Sequence, residues 1–116
     1  MNFKIKELIG PRCIIKEDGQ KIYEMIHGPL LQGEVVSLDF SDVNQFASPF
    51  FNFAFGQLLK NITKEELERL LHFVNLNDTG KNVFERVIEN AVKYYADKDY
   101  RKIVDDILEQ QAKESD

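Results

Sequence analysis

The order of apolar and polar residues along the chain predicts four strands. Residues 2–9 alternate between apolar and polar side chains, and a second short apolar run, residues 12–16, follows the turn at Gly10-Pro11. These two runs predict an antiparallel hairpin. Residues 35–40 and 70–74 are mostly apolar, which is typical of buried strands, and we expect residues 35–40 to form a central strand covered on both faces.

Five other stretches carry the marks of helices. The first begins near Asp18, a predicted N-cap, and ends at Gly33 after the helix-disturbing pair Gly28-Pro29. Thr63, followed three residues later by Glu66, matches the capping box of a short helix. The remaining three predicted helices span residues 48–61, 82–96 and about 100–113.

Strands that alternate with helices predict an α/β fold with right-handed parallel crossovers. The length of 116 residues suggests one domain, residues 1–116. We expect a mixed, mostly parallel four-stranded sheet packed with helices, in which the first hairpin supplies an antiparallel edge. The helix at about residues 100–113 is an extra C-terminal element.

Charge and composition exclude several kinds of partner. A net charge of −5 does not neutralise phosphates, so we expect no nucleic-acid partner. The single cysteine, Cys13, lies in an apolar run and is predicted to be a buried structural thiol, which fits a reducing compartment. No segment reaches the roughly 18 apolar residues of a membrane span, and residues 1–10 lack the apolar stretch of a signal peptide. We expect a cytoplasmic protein with no membrane partner.

Residues 38–48, Leu-Asp-Phe-Ser-Asp-Val-Asn-Gln-Phe-Ala-Ser, resemble the strand and loop that precede the regulatory helix of STAS domains. Those domains include the bacterial anti-sigma factor antagonists. The chain is more similar to bacterial STAS-like proteins of uncharacterised function, and residues 73–75 and 83–88 fit the same pattern. The resemblance covers residues 12–96 and implies a single STAS-like domain.

The same resemblance implies a regulatory role for Ser48. In the antagonists, a short Asp-Ser-Ser-Gly-like motif lies at the helix start, and a partner of the histidine-kinase-like ATPase class phosphorylates its first serine. Ser48 takes the place of that serine, whereas Ala47, Pro49 and Phe50 replace the other three residues. The resemblance therefore implies a non-enzymatic protein-interaction module for signalling, with no cofactor, that is switched by phosphorylation of Ser48.

The residues themselves leave two roles open for Ser48. At a helix start, backbone N–H groups and the helix dipole favour a phosphate, so a small anionic ligand or a nucleotide could bind there instead of a kinase. A serine followed by Pro49 is also a common helix cap.

The predicted partner-binding surface combines the loop of residues 41–47 with the start of the next helix. Its members are Ser41, Asp42, Asn44, Gln45, Pro49, Asn52 and Phe53. Unlike the other phenylalanines of that helix, Phe53 falls among polar and small residues such as Gly56. We predict that Phe53 is partly exposed at the rim of a contact surface for a partner helix or a second copy in a homodimer. The alternative is that a neighbouring element covers it.

Asp39 and Asp42 flank the same loop, and paired carboxylates can bind a metal or act as acid and base. Turn-forming acids also stabilise loops, and no third acid or histidine lies nearby in sequence. His27 and His72 do not have metal-ligand spacing. We predict no metal site and no catalytic residue.

Overall fold

The computed structural model describes residues 1–96 and 105–111. Within these residues the strands are β1 (Asn2–Lys4), β2 (Arg12–Cys13), β3 (Val36–Asp39), β4 (Gln45–Phe46) and β5 (Leu71–Val74). The helices are α1 (Ile5–Ile9), α2 (Lys16–Leu31), α3 (Ser48–Ala54), α4 (Lys64–Leu70) and α5 (Asp78–Ala96). A 3₁₀ helix, Gly56–Lys60, follows α3, and residues 105–111 are also helical.

The strands form two parallel sheets. The larger has the order β1-β3-β5, with Leu38 of β3 opposite Phe3 on one side and Phe73 on the other. The smaller pairs β2 with β4. The predicted α/β class is confirmed, whereas the predicted single four-stranded sheet and its antiparallel hairpin edge are wrong.

The hairpin prediction failed because residues 2–9 are not one strand. Ile5 is buried and Leu8 and Ile9 are half-buried, a spacing of three and four residues that belongs to a helix. The chain therefore turns into α1 directly after Lys4. This turn separates β1 from β2, so each strand pairs with a later part of the chain instead of with the other.

The central strand is covered well on one face only. Val36 and Leu38 are completely buried, and Phe40 directly beyond the strand is 1% exposed. On the opposite face, Ser37 and Asp39 are only half-buried. The prediction of a central strand is confirmed, but the predicted cover on both faces is incomplete.

Helix α2 begins earlier than predicted and ends as predicted. Its N-cap is Ile15, so Asp18 lies in the first turn and is not the cap. Pro29 falls in the last turn, where its missing N–H removes a single helical hydrogen bond. At the end, Gly33 has a φ of 82° and donates to Leu30 O at 3.0 Å, while the following N–H donates to Pro29 O at 3.0 Å.

The helix predicted over residues 48–61 is divided into α3 and the 3₁₀ helix. Five apolar side chains of the two pieces are completely buried: Phe50, Phe51, Ala54, Phe55 and Leu58. The division falls beside a glycine at position 56, a residue that costs about 1 kcal/mol in a helix interior.

Two later helices differ little from prediction. Thr63 Oγ1 accepts a hydrogen bond from Glu66 N at 3.1 Å and caps α4, which confirms the predicted cap and the short helix after it, while Glu66 Oε2 accepts from Arg69 Nη2 at 2.7 Å. Helix α5 begins four residues earlier than the predicted residue 82, where Asn77 Oδ1 accepts a hydrogen bond from Gly80 N at 2.9 Å. Of the predicted helix at residues 100–113, residues 105–111 are helical, and the remainder lies outside the described residues.

Candidate functional site

A cluster of polar side chains lies at the carboxyl ends of β3 and β5. Asp39 Oδ1 accepts hydrogen bonds from Ser41 N at 2.9 Å, Ser41 Oγ at 2.6 Å and Asn75 Nδ2 at 3.1 Å. Asn75 Nδ2 also donates to Ser41 Oγ at 2.8 Å. Because β3 and β5 are parallel neighbours, Asp39 and Asn75 arrive at the same edge of the sheet.

These hydrogen bonds favour the ionised form of Asp39. The Ser41 hydroxyl contributes most to lowering the pKa of the Asp39 carboxyl, followed by the Asn75 amide and then the Ser41 backbone N–H. The carboxylate therefore ties the start of the loop to the end of β5, and its function in the fold is to order that loop.

The loop after Asp39 has a defined shape. Asp42 and Asn75 have φ values of 62° and 60°, the left-handed region that aspartate and asparagine tolerate better than most residues. Val43 N donates to Phe40 O at 3.0 Å and closes the turn. Asp42 projects to solvent, with its Oδ2 3.9 Å from Lys6 Nζ. Asn44, one residue beyond the closed turn, is also exposed.

Asp39 and Asp42 contact different residues and do not form a pair of carboxylates. Asp39 bonds to Ser41 and Asn75, whereas Asp42 lies beside Lys6. Within residues 1–96 and 105–111, no three His, Cys, Asp or Glu side chains come together in a way that could hold a metal ion. The geometry supports loop stabilisation by Asp39, which was one of the two interpretations of this pair.

Ser48 is the first residue of α3, but it does not cap the helix. The N-cap is Ala47, in extended conformation, and no side chain caps the helix there. The predicted capping role of Ser48 is therefore wrong. A capping residue stands directly before the first residue of a helix, and that position is taken by Ala47. Ser48 is half-buried, and within the described part of the chain its hydroxyl makes no hydrogen bond. Ala47 N donates to Cys13 O at 2.9 Å and fixes the approach to the helix.

The other predicted site residues on α3 face different neighbours. Asn52 Nδ2 donates to Gln111 Oε1 at 2.9 Å. Phe53 is half-buried and lies against Gly19 of α2, so it is partly exposed as predicted and also partly covered by a neighbouring element. Gly56 is buried beneath Val87 of α5. The flank at Gly56 that was predicted to receive a partner helix is occupied by α5 of the same chain.

Sequence reasoning missed Asn75 and Lys6 as members of this region. Asn75 directly follows the predicted strand of residues 70–74, as Ser41 directly follows the predicted strand of residues 35–40. If β3 and β5 had been predicted to be adjacent parallel strands, Asn75 would have been predicted to lie beside Asp39 and Ser41. Lys6 could not be placed, because residues 2–9 were assigned to a single strand.

A comparison with family models gives a match over residues 18–81 to the STAS-like domain of unknown function (DUF4325). The chain belongs to this STAS-like family. The match runs from the first turn of α2 to the first turn of α5, so it includes the loop, all of α3 and Asn75. No curated protein and no solved structure matches the chain significantly.

Every residue of the predicted partner-binding surface lies within the matched region of this STAS-like domain. The exposed residues Ser41, Asp42, Asn44 and Gln45 all lie within seven residues of Ser48 along the chain, whereas Asn52 and Phe53 are engaged with other elements of the fold. Anion binding at the start of α3 stays a prediction. Among the described residues, no helix is both long and apolar enough to cross a membrane.

Proposed function

We propose that this STAS-like domain is a non-enzymatic regulatory module that binds a protein partner through the loop of residues 41–47, which includes the short strand β4, and through the start of α3. The observation that carries the proposal is the ordered loop. Asp39, Ser41 and Asn75 hold its backbone, while the side chains of Asp42 and Asn44 remain exposed. A loop that is already ordered loses less conformational entropy when a partner binds.

Ser48 is the proposed point of control. Its hydroxyl is not engaged as a helix cap, so phosphorylation there would not remove a capping hydrogen bond. A phosphoryl group would add about −1.5 to −2 charges and three acceptor oxygens. The N–H groups of the first turn of α3 lack helical partners and would tolerate this charge.

The proposed partner is an ATPase of the histidine-kinase-like class, by analogy with the anti-sigma factor antagonists. Such a partner would bind the loop, phosphorylate Ser48 and then be released. Release follows from electrostatics, because the added charge lies next to a loop that already exposes Asp42. An acidic contact surface on the partner would be repelled by both groups.

The experiment is a quantitative affinity capture from the native host with three immobilised forms of the protein. These are the wild type, Ser48→Asp and a control, Thr79→Asp, which adds the same charge at an exposed position in the first turn of α5. We expect Ser48→Asp to lose or exchange its main captured protein, and Thr79→Asp to capture the same proteins as the wild type. Intact-mass measurement of the protein from the native host tests for the phosphoryl group itself.

Equal capture by the wild type and Ser48→Asp would contradict a switch at this residue. Loss of capture by Ser48→Asp and Thr79→Asp alike would show that added charge alone weakens binding. In that case the position of Ser48 would have no special role.

A further inference from the structure

An apolar groove lies between α4 and α5, on the side of the sheet that the helices cover. Its floor consists of five apolar side chains: Leu67, Leu71, Phe73, Phe84 and Ile88. The space between the two helices is about 400 Å³. Phe73 and Phe84 pack edge to face with ring centroids 4.7 Å apart, yet both remain half-buried. The fold therefore leaves part of two aromatic rings uncovered at the edge of its sheet.

The groove is open because α5 packs elsewhere. Helix α5 contacts α3, the 3₁₀ helix and β4, while α4 stays close to β5. Phe84, Ile88 and Val92 follow one another at intervals of four residues along α5, and Val92 is 42% exposed. At 1.5 Å per residue this apolar line extends over about 12 Å, or roughly two turns of a helix laid against it.

The rim of the groove is acidic. Glu68 of α4 and Glu85 and Glu89 of α5 line it, and all three are exposed. Among the described residues that line the groove, Lys64 alone is cationic, and its Nζ lies 3.9 Å from Glu68 Oε1. Within the described part of the chain, no ion pair or hydrogen bond involves the carboxylates of Glu85 and Glu89.

We propose that this groove binds a cationic amphipathic helix of a partner protein. Apolar side chains of the partner cover Phe73 and Phe84, and its lysine or arginine side chains lie over Glu85 and Glu89. Burial of the apolar face supplies affinity, and the complementary charges select and orient the partner. An acidic helix is rejected, because its carboxylates would face those of the rim. None of these residues belongs to the loop of residues 41–47 or to α3, so the groove is a second interaction surface.

The test uses a synthetic amphipathic helical peptide built from leucine and lysine, and a matched peptide built from leucine and glutamate. Binding to the full chain is followed by fluorescence anisotropy, and amide chemical-shift mapping locates the site. We expect the lysine peptide to bind, with shifts concentrated in α4, β5 and α5. The double variant Glu85→Lys/Glu89→Lys should weaken its affinity at least about tenfold, as is usual for reversed charges at a contact.

The control variant is Glu7→Lys/Glu34→Lys, which changes the net charge equally at exposed positions on elements that do not line the groove. It should change the affinity by less than about threefold, because distant surface charges are screened by salt. Equal weakening in both double variants would reduce the effect to net charge and overturn the proposal. So would an absence of binding by the lysine peptide, equally tight binding of the glutamate peptide, or shifts confined to another surface. If the chain forms a dimer that Glu85→Lys/Glu89→Lys dissociates, the groove binds a second copy of the chain and the proposal of a partner helix is overturned.

Discussion

The backbone carbonyl of Phe50 lies directly against Gly19, where α3 crosses the first turns of α2. No side-chain carbon fits between them, since a Cβ on Gly19 would clash with that carbonyl oxygen and would also stand 3.1 Å from Phe53 Cβ. Helices α2 and α3 form an extensive contact, and Gly19 is where their backbones approach closely enough to exclude a side chain. The position of α3, and therefore of Ser48 at its start, depends on this approach.

Replacing Gly19 should destabilise the fold. Gly19→Ala forces the added methyl group against a backbone atom that cannot rotate away, and overpacking of this kind costs about 1–3 kcal/mol. The matched control is Gly28→Ala in the same helix, where an added Cβ meets no atom of the described residues within 4 Å apart from its chain neighbours and the backbone of its own helix. Alanine is the better helix former, but the ring of Pro29 disfavours the helical conformation of a preceding residue that carries a Cβ, so Gly28→Ala should change the free energy of unfolding by less than about 1 kcal/mol. Urea denaturation of the two variants and the wild type measures both changes, and equal stability of the two variants would contradict the close approach.

The Asp39 cluster should make stability depend on pH. In the folded state, hydrogen bonds from Ser41 and Asn75 lower the pKa of the Asp39 carboxyl below the ordinary value of about 3.9, so folding favours the ionised form. The stabilisation that ionised Asp39 contributes is complete at pH values well above about 3.9. It is lost as the pH falls from about 4 through the folded-state pKa of Asp39. Asp39→Asn should therefore be less stable than the wild type at neutral pH, and the difference should shrink as the solution is acidified.

The control for this experiment is Asp42→Asn. Asp42 has its side chain 78% exposed and a positive φ that asparagine also accepts. Its replacement should change the free energy of unfolding little at either pH. If Asp39→Asn and Asp42→Asn show the same pH dependence, the hydrogen bonds to Asp39 do not stabilise the fold.

Local rules predicted those parts of the fold that depend on neighbouring residues. The Gly33 helix end and the Thr63 cap were predicted because each is decided within a few positions. The strand pairing was not predicted, because no residue near β1 indicates that its partner is β3, more than thirty residues away. The boundary between β1 and α1 was not predicted, because Ile5 fits two patterns. Its spacing to Phe3 is typical of a strand, and its spacing to Leu8 and Ile9 is typical of a helix.

The candidate site was predicted in part for the same reason. Asp39 and Ser41 lie two residues apart, and their loop was identified from sequence. Asn75 joins them only through the parallel pairing of Asp39 with Val74, which is a property of the whole sheet. The register of Ser48 was missed by one position, and that single residue separates a capping role from an uncapped first turn.

The caps of α3 and α4 should respond differently to alanine. Thr63→Ala removes the acceptor of the hydrogen bond that Glu66 N donates to Thr63 Oγ1, and it should cost about 1 kcal/mol, within the usual range of about 0.5–2 kcal/mol. Ser48→Ala removes no cap and should change the free energy of unfolding by no more than about 0.5 kcal/mol. Thermal and urea unfolding of both variants give the comparison. A loss on Ser48→Ala as large as that on Thr63→Ala would show that Ser48 caps its helix after all.

The thiol of Cys13 should react only when the protein unfolds. Cys13 is completely buried, as predicted, and burial raises its pKa to about 12, with the Asp18 carboxylate as a smaller cause. At neutral pH almost no thiolate is present to attack an alkylating reagent. Labelling by iodoacetamide should therefore be slow in the native state, fast in denaturing urea, and faster in Gly19→Ala than in the wild type. Asp18→Asn removes only the smaller cause of the raised pKa, so it should accelerate labelling much less than Gly19→Ala does. Rapid labelling of the native wild type would mean that β2 opens to solvent without unfolding of the domain.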